Sequence, residues 1–158
     1  MKRCAFCVFF AILALPALSR AATLLEFAAD ADGYQCEIAD PGPNGLVTVY
    51  VLVNYSPGIT GIRFSAPVPA GSGLTHVADV SPFSMIGNSQ SDLVVGFGAT
   101  CQVGTIAVMT MWFIRTSPGN PCTIYEPQPG AIFTDCGFSE HPLWYDGVAL
   151  NSNGQCNP

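Results

Sequence analysis

The stretch Asp92–Arg115, DLVVGFGATCQVGTIAVMTMWFIR, decides the fold class. It holds two apolar segments, Leu93–Phe97 and Gly104–Ile114, separated by glycine, threonine and cysteine, and β-branched residues outnumber good helix formers in both. The expectation is a central antiparallel hairpin. In the second segment a period of two puts Ile106, Val108, Thr110, Trp112 and Ile114 on one face, and Ala107, Met109, Met111, Phe113 and Arg115 on the other. Both faces are largely apolar, as in a strand covered on both sides.

The same character extends outward. Upstream, Leu46–Asn54 (LVTVYVLVN) is a valine-rich strand ending at the turn Ser56-Pro57-Gly58, and Ile62–Ser65 alternates as a half-buried strand does. Leu24–Ala29 is a short strand that runs into Asp30-Ala31-Asp32-Gly33, an Asp-Gly turn. Leu74–Val80 is a further strand, and Ser81–Ser91 is a loop rich in turn formers. Downstream, Cys122–Glu126 and Ala131–Asp135 flank Pro127-Gln128-Pro129-Gly130 as a second hairpin. Phe138–Tyr145 is irregular, Gly147–Leu150 is a last short strand and Asn151–Pro158 a polar tail. No segment has helical periodicity. The fold class expected is all-β: one β-sandwich of about nine short antiparallel strands, with jelly-roll or Greek-key connections.

Residues 1–21 stand apart. Lys2 and Arg3 precede the apolar run Cys4–Leu18, and Ser19-Arg20-Ala21 supplies a small-x-small cleavage pattern, the signature of a secretory signal peptide. Removing 21 of the 158 residues leaves 137, a length that fits one domain over 22–158. Arg63 and Arg115 are then the only basic residues against eleven acidic ones, a net charge of −9. Nucleic acid and anionic membrane surfaces are poor partners for such a chain, because phosphates need lysine or arginine to neutralise them. Proteins, neutral glycans and cations remain, at a secreted, periplasmic or cell-surface location.

Cys36, Cys101, Cys122, Cys136 and Cys156 remain after export, where disulfides are the default and an odd count leaves one thiol free or bonded to another chain. If successive strands run up and down, Cys36, Cys101 and Cys156 lie at one end and Cys122 and Cys136 at the other. That parity favours a Cys122–Cys136 bridge across the base of the last hairpin, with Cys36 joined to Cys101 or Cys156. Zinc is disfavoured, since no CxxC pair exists and only two histidines are available.

Catalytic signals are weak. No G-x-S-x-G is present, and Gly87-Asn88-Ser89-Gln90-Ser91 reads as a polar loop. His76 reads as a surface or hydrogen-bonded strand residue and not as a general base, and His141 no differently. Asp30, Asp32, Glu126, Asp135, Glu140 and Asp146 are scattered acids, from which a carboxylate-based hydrolase would need only two at the right separation. A calcium site is a further reading: Asp30 and Asp32 on their turn, with Asn151 and Asn153 if the termini meet, since DADGYQC at Asp30–Cys36 echoes NSNGQC at Asn151–Cys156. The plain Asp-Gly turn competes with it, because the distal glutamate of a full calcium loop is missing. Trp144, Tyr145 and Phe138 either stack on sugar rings or plug the end of the sandwich. Asn54-Tyr55-Ser56 matches the glycosylation pattern, yet it is followed directly by Pro57 and reads as a strand end.

The strings F-x-x-D-A-D-G-x-x-C at Phe27–Cys36, SPF-x-x-x-GNSQ at Ser81–Gln90, G-x-x-C ending at Cys101, Pro121-Cys122 and Asp135-Cys136-Gly-Phe together resemble a family of small secreted bacterial proteins of uncharacterised function. The resemblance covers nearly all of residues 22–158 and implies no reaction. A looser likeness is to cohesin-like modules, in which V-x-V-x-V strands precede G-I-x-x-x-x-F; Val47–Val53 and Gly58–Phe64 match that order. The functional expectation is a secreted structural or binding module without catalytic activity. The alternatives are a calcium-dependent or glycan-binding adhesin-type module and a carboxylate-based hydrolase.

Overall fold

A computed structural model describes residues 23–154 and 156; the expected signal peptide, residues 1–21, lies outside them. Twelve strands follow one another without a helix among the described residues: β1 Leu24–Ala28, β2 Glu37–Ala39, β3 Leu46–Phe64, β4 Leu74–Val80, β5 Ser84–Asn88, β6 Asp92–Gly96, β7 Gln102–Arg115, β8 Thr123–Tyr125, β9 Ile132–Asp135, β10 Glu140–Pro142, β11 Trp144–Asp146 and β12 Val148–Ser152.

The molecule is a β-sandwich built on β3. The first part of β3 pairs with β1 on one side and β7 on the other, giving the layer β4-β7-β3-β1-β11. Its last residues pair with β6 and β9, giving the layer β5-β6-β3-β9-β10. The turn signal expected to end the strand at Ser56-Pro57-Gly58 is instead the place where β3 passes from one layer to the other. Tyr55 takes φ +59° and Gly58 φ +132°, and the register shifts twice there. The inward parity changes with it: Val47, Val49, Val51 and Val53 face the core before the bend, Ile62 and Phe64 after it.

β6 and β7 do not form the expected hairpin. They follow each other along the same edge of β3, because a strand long enough to serve both layers offers more pairing than a five-residue return between neighbours would. β7 also departs from strict alternation. A bulge between Met109 and Ala107 leaves Val108 extra, so Ile106 and Val108 are buried on one side of it and Met109, Met111 and Phe113 on the other. Trp112 consequently faces outward, 40% exposed, and the strand is not covered on both sides.

A small sheet, β2-β12-β8, closes the sandwich, and β12 is buried throughout. Tyr125 on β8 sits at the centre of the core with its ring 5.2 Å from that of Phe27 and 5.4 Å from that of Phe113. Its hydroxyl donates to Ala66 O at 2.7 Å, and burial pushes its pKa up.

The cysteine pairing differs from expectation. Cys101 bonds to Cys136 and Cys122 to Cys156, with Cα–Cα distances of 5.7 and 5.3 Å. A Cys122–Cys136 bridge needs the last hairpin, but β8 pairs with β12 while β9 pairs with β3 and β10, so that hairpin does not form. Cys36 cannot join Cys101 or Cys156, since both are committed elsewhere. Layer-crossing connections broke the up-and-down parity. Gln102 and Asp135 both lie opposite Ile59, one on each side of β3, so the cysteines next to them meet across Gly58. A Cβ there would stand 2.7 Å from Cys136 Sγ and 2.9 Å from Cys101 Sγ, so only glycine lets the bridge cross.

Candidate partner-binding face

The outer face of the β5-β6-β3-β9-β10 layer is the best-furnished surface for a partner. Cross-strand register puts Ile86, Val94, Arg63, Ile132 and Pro142 in one row, a residue from each strand. Ile86 is 76% exposed and Val94 38%. The next row is Ser84, Gly96, Gly61, Thr134 and Glu140, whose two central positions are glycines without side chains. Arg63 lies at the middle, held by two hydrogen bonds to Asp92: Nε to Oδ1 at 2.9 Å and Nη2 to Oδ2 at 2.8 Å. The pair raises the Arg63 pKa and lowers that of Asp92, in each case chiefly through these hydrogen bonds. Beside it a cleft of about 280 Å³ is bounded by Gln128, Pro129, Gly130 and Ile132.

Arg115, by contrast, is paired with Asp40 and its side chain is nearly covered, so Arg63 is the exposed cation of an acidic chain among the described residues. Arginine is among the residue types that carry binding energy at interfaces, and the exposed Ile86 and Val94 beside it add apolar area. The opposite outer face also exposes Leu46, Val77, Val80 and Trp112. Threonines 48, 75 and 110 interrupt it, and the Asp30–Gly33 turn covers Leu52, whose Cδ1 would meet a Cβ on Gly33 at 2.9 Å.

The expected calcium ligands are not assembled. Asp30 Oδ1 accepts from Tyr34 N at 2.8 Å and closes its own turn, with Asp32 exposed on the same turn. Asn151 is buried at φ +54°, and its Nδ2 donates to Ser72 O at 2.9 Å and Asn120 O at 3.1 Å. The terminal segments do pair, through β2 and β12, but in parallel. Parallel strands put the chain before β2, which carries Asp30 and Asp32, and the chain after β12, which carries Asn153, at opposite ends of the pair, with Asn151 inside β12. Among the described residues no cluster of three His, Cys, Asp or Glu is arranged to hold a metal ion.

Both histidines are hydrogen-bonded to aspartates, as expected of His76. His76 Nε2 lies 2.9 Å from Asp79 Oδ1, which also accepts from Ser89 Oγ at 2.8 Å. Ser, Asp and His thus meet, but the carboxylate stands between the other two, so the imidazole does not contact the serine hydroxyl as it does in a Ser-His-Asp triad, and Asp79 ties the buried Ser89 to β4. His141 Nε2 lies 2.8 Å from Asp135 Oδ2, while Asp135 Oδ1 accepts from Ser139 N at 2.9 Å and Gly137 N at 2.8 Å. These bonds, that from Ser139 first, hold the Asp135 carboxyl below its usual range.

Among the scattered acids, Asp146 sits in register with Glu26, a residue that no sequence motif marks. Burial raises the Glu26 pKa first, Asp146 and Asp30 add to it, and the Asn54 amide, which donates to the carboxylate, opposes the rise. That bond also occupies the Asn54 side chain of the Asn-Tyr-Ser pattern. The outward position of Glu26 between Leu25 and Phe27, both buried, was the available signal.

No family model matches the chain, and no curated protein matches it in sequence. Solved structures do. A non-cellulosomal cohesin from the archaeon Archaeoglobus fulgidus aligns at a TM-score of 0.57 and 12% identity, over 85% of this chain and 94% of that one. The sixth cohesin of scaffoldin B from Acetivibrio cellulolyticus, solved with a dockerin, aligns at 0.54 and 15%, over 84% and 100%. A type I cohesin–dockerin complex from Clostridium thermocellum aligns at 0.58 and 10%, over 83% and 99%. At these identities the likeness is one of fold: the chain has the β-sandwich of the cohesin modules.

Proposed function

We propose that residues 22–158 form one exported, non-catalytic protein-binding module that takes a dockerin-like partner on the β5-β6-β3-β9-β10 face. The observation that carries this reading is the row Ile86-Val94-Arg63-Ile132, in which exposed Ile86 and Val94 and half-buried Ile132 flank a fixed cation, on a cohesin-type sandwich. Two of the similar structures were solved as complexes with dockerins. Disulfides suit an oxidising compartment, and no helix among the described residues is long and apolar enough to cross a membrane. Ser89, Asp79 and His76 are not ordered as a Ser-His-Asp triad, since the carboxylate lies between the other two.

The test is a calorimetric titration of the purified chain with a type I dockerin, alongside the variants Ile86→Asp with Val94→Asp, and Trp112→Asp on the opposite face. Affinity is expected to fall at least about tenfold in the Ile86/Val94 variant and to hold in Trp112→Asp, with Tm unchanged in the former. Binding that survives the first pair and fails in the second moves the interface to the other layer. No heat with any dockerin removes the partner class.

A further inference from the structure

The two layers part at one edge, where β10 of one faces β11 of the other across the single connecting residue Leu143. The gap is an open cleft of about 390 Å³. Its lining combines an aromatic plate with a polar wall. Trp144 is 68% exposed, its backbone fixed by pairing with Leu24 and by donation of its N–H to Thr23 O. Opposite, Phe133 and His141 stack with ring centroids 5.0 Å apart and planes at 28°. His141 and Asp135 are held together but only partly covered, with side-chain exposures of 36% and 32%.

We propose that this cleft binds a neutral sugar ring. The indole face is negative and attracts the polarised C–H bonds on the flat side of a pyranose, while an aromatic plate left in water on a fixed strand costs little to order on binding. Asp135 and His141 meet the hydroxyls at the ring's rim, the carboxylate as acceptor and the imidazole through whichever nitrogen is presented. No lysine or arginine lines the cleft, so an acidic sugar has nothing to neutralise it and meets the charge of Asp135. A purely apolar ligand would strand the same polar wall. The site borders the proposed partner face at Pro142, which stands in the outward row and also lines the cleft, while Glu140 points outward on β10 and His141 lies against Phe133 between the layers.

The chain has two tryptophans, Trp112 and Trp144, on different surfaces, which gives an internal control. The full chain, expressed with its leader, purified with disulfides intact and labelled with ¹⁵N, is titrated to millimolar concentration with cellohexaose, mannohexaose and xylohexaose. The indole N–H resonances are followed, Trp144→Phe assigning them. At least one oligosaccharide is expected to move the Trp144 resonance and leave Trp112 still. Trp144→Ala should weaken that response by roughly tenfold or more and Trp144→Tyr by much less, since a plate is kept. Asp135→Asn should weaken it several-fold, with His141→Gln as the variant that leaves the 135–139 turn intact. The proposal is overturned if no oligosaccharide moves Trp144, if Trp112 moves instead, if Trp144→Ala binds as tightly as the native chain, or if only a dockerin moves Trp144.

Discussion

Glu26 puts a carboxylate on the outer face of β1 in register with Asp146 and near Asp30, a poor place for a negative charge. Its pKa is raised above the ordinary 4.5 in the folded chain, first by burial and then by Asp146. The folded state therefore binds more protons than the unfolded state between 4.5 and the raised value. The associated stability is fully present below 4.5 and is lost as pH rises through the folded value. Glu26→Gln keeps the shape and the acceptor for Asn54 while removing the charge. We expect it to raise Tm at pH 7, to leave Tm near pH 4 unchanged, and to flatten the decline between them; thermal melts across that range check it. A variant less stable at pH 7 would show that the Asn54 bond outweighs the repulsion.

At the scale of elements, β3 is one strand serving as two, and the disulfides fasten the strands that it organises. Cys101–Cys136 straps the neighbours of β3 across Gly58, where the strand changes layer. Cys122–Cys156 ties the start of β8 to the chain beyond β12, closing a separation of 34 residues. In the chain-entropy picture a closure of that length stabilises by roughly 4 kcal/mol. Replacing Cys122 and Cys156 together by alanine should lower Tm by on the order of 10 °C while the Cys101–Cys136 bridge persists. Calorimetry and peptide mapping without reduction measure both, and an unchanged Tm would mean that β12 is held by its buried side chains alone. The bulge at Val108 has a consequence of another kind: it turns Trp112 to solvent.

At the scale of the whole molecule the two proposed surfaces use different parts of the sandwich, the outer face of one layer and an open edge between layers. They meet only at Pro142, and Ile86, Val94 and Trp144 each belong to one of them, so substitutions at these three should act independently. Ile86→Asp with Val94→Asp is expected to leave the oligosaccharide response of Trp144 within about twofold of native, and Trp144→Ala to leave dockerin affinity as little changed. A change beyond that in either direction would join the two surfaces into one site. Chain charge acts on both: with Arg63 as the exposed cation, an acidic side chain of a partner has one place to go.

The sequence alone determined the all-β class, the small set of apolar strands and most of their positions, because side-chain alternation and turn formers are written locally: Leu74–Val80 is β4 to the residue. The acidic balance, eleven acids against five basic residues, is read from the sequence in the same way. Tertiary structure decided the rest. Asp92–Arg115 contains two strands as read, but whether they pair with each other or both with β3 depends on a strand elsewhere in the chain. Cys122 and Cys136 flank an apparent hairpin, yet which strand each borders is a matter of layer crossing. Asp30 and Asn151 begin similar motifs, yet Asp30 lies in the turn after β1 while Asn151 lies inside β12, and the parallel direction of β2 and β12 is written in neither. The edge cleft was half legible: Trp144 stood out as an aromatic outside the strand pattern, while Phe133, Asp135 and His141 are brought to it by β9 and β10. Pairing partners and strand direction are set by long-range hydrogen bonds and core packing, and no local pattern encodes them.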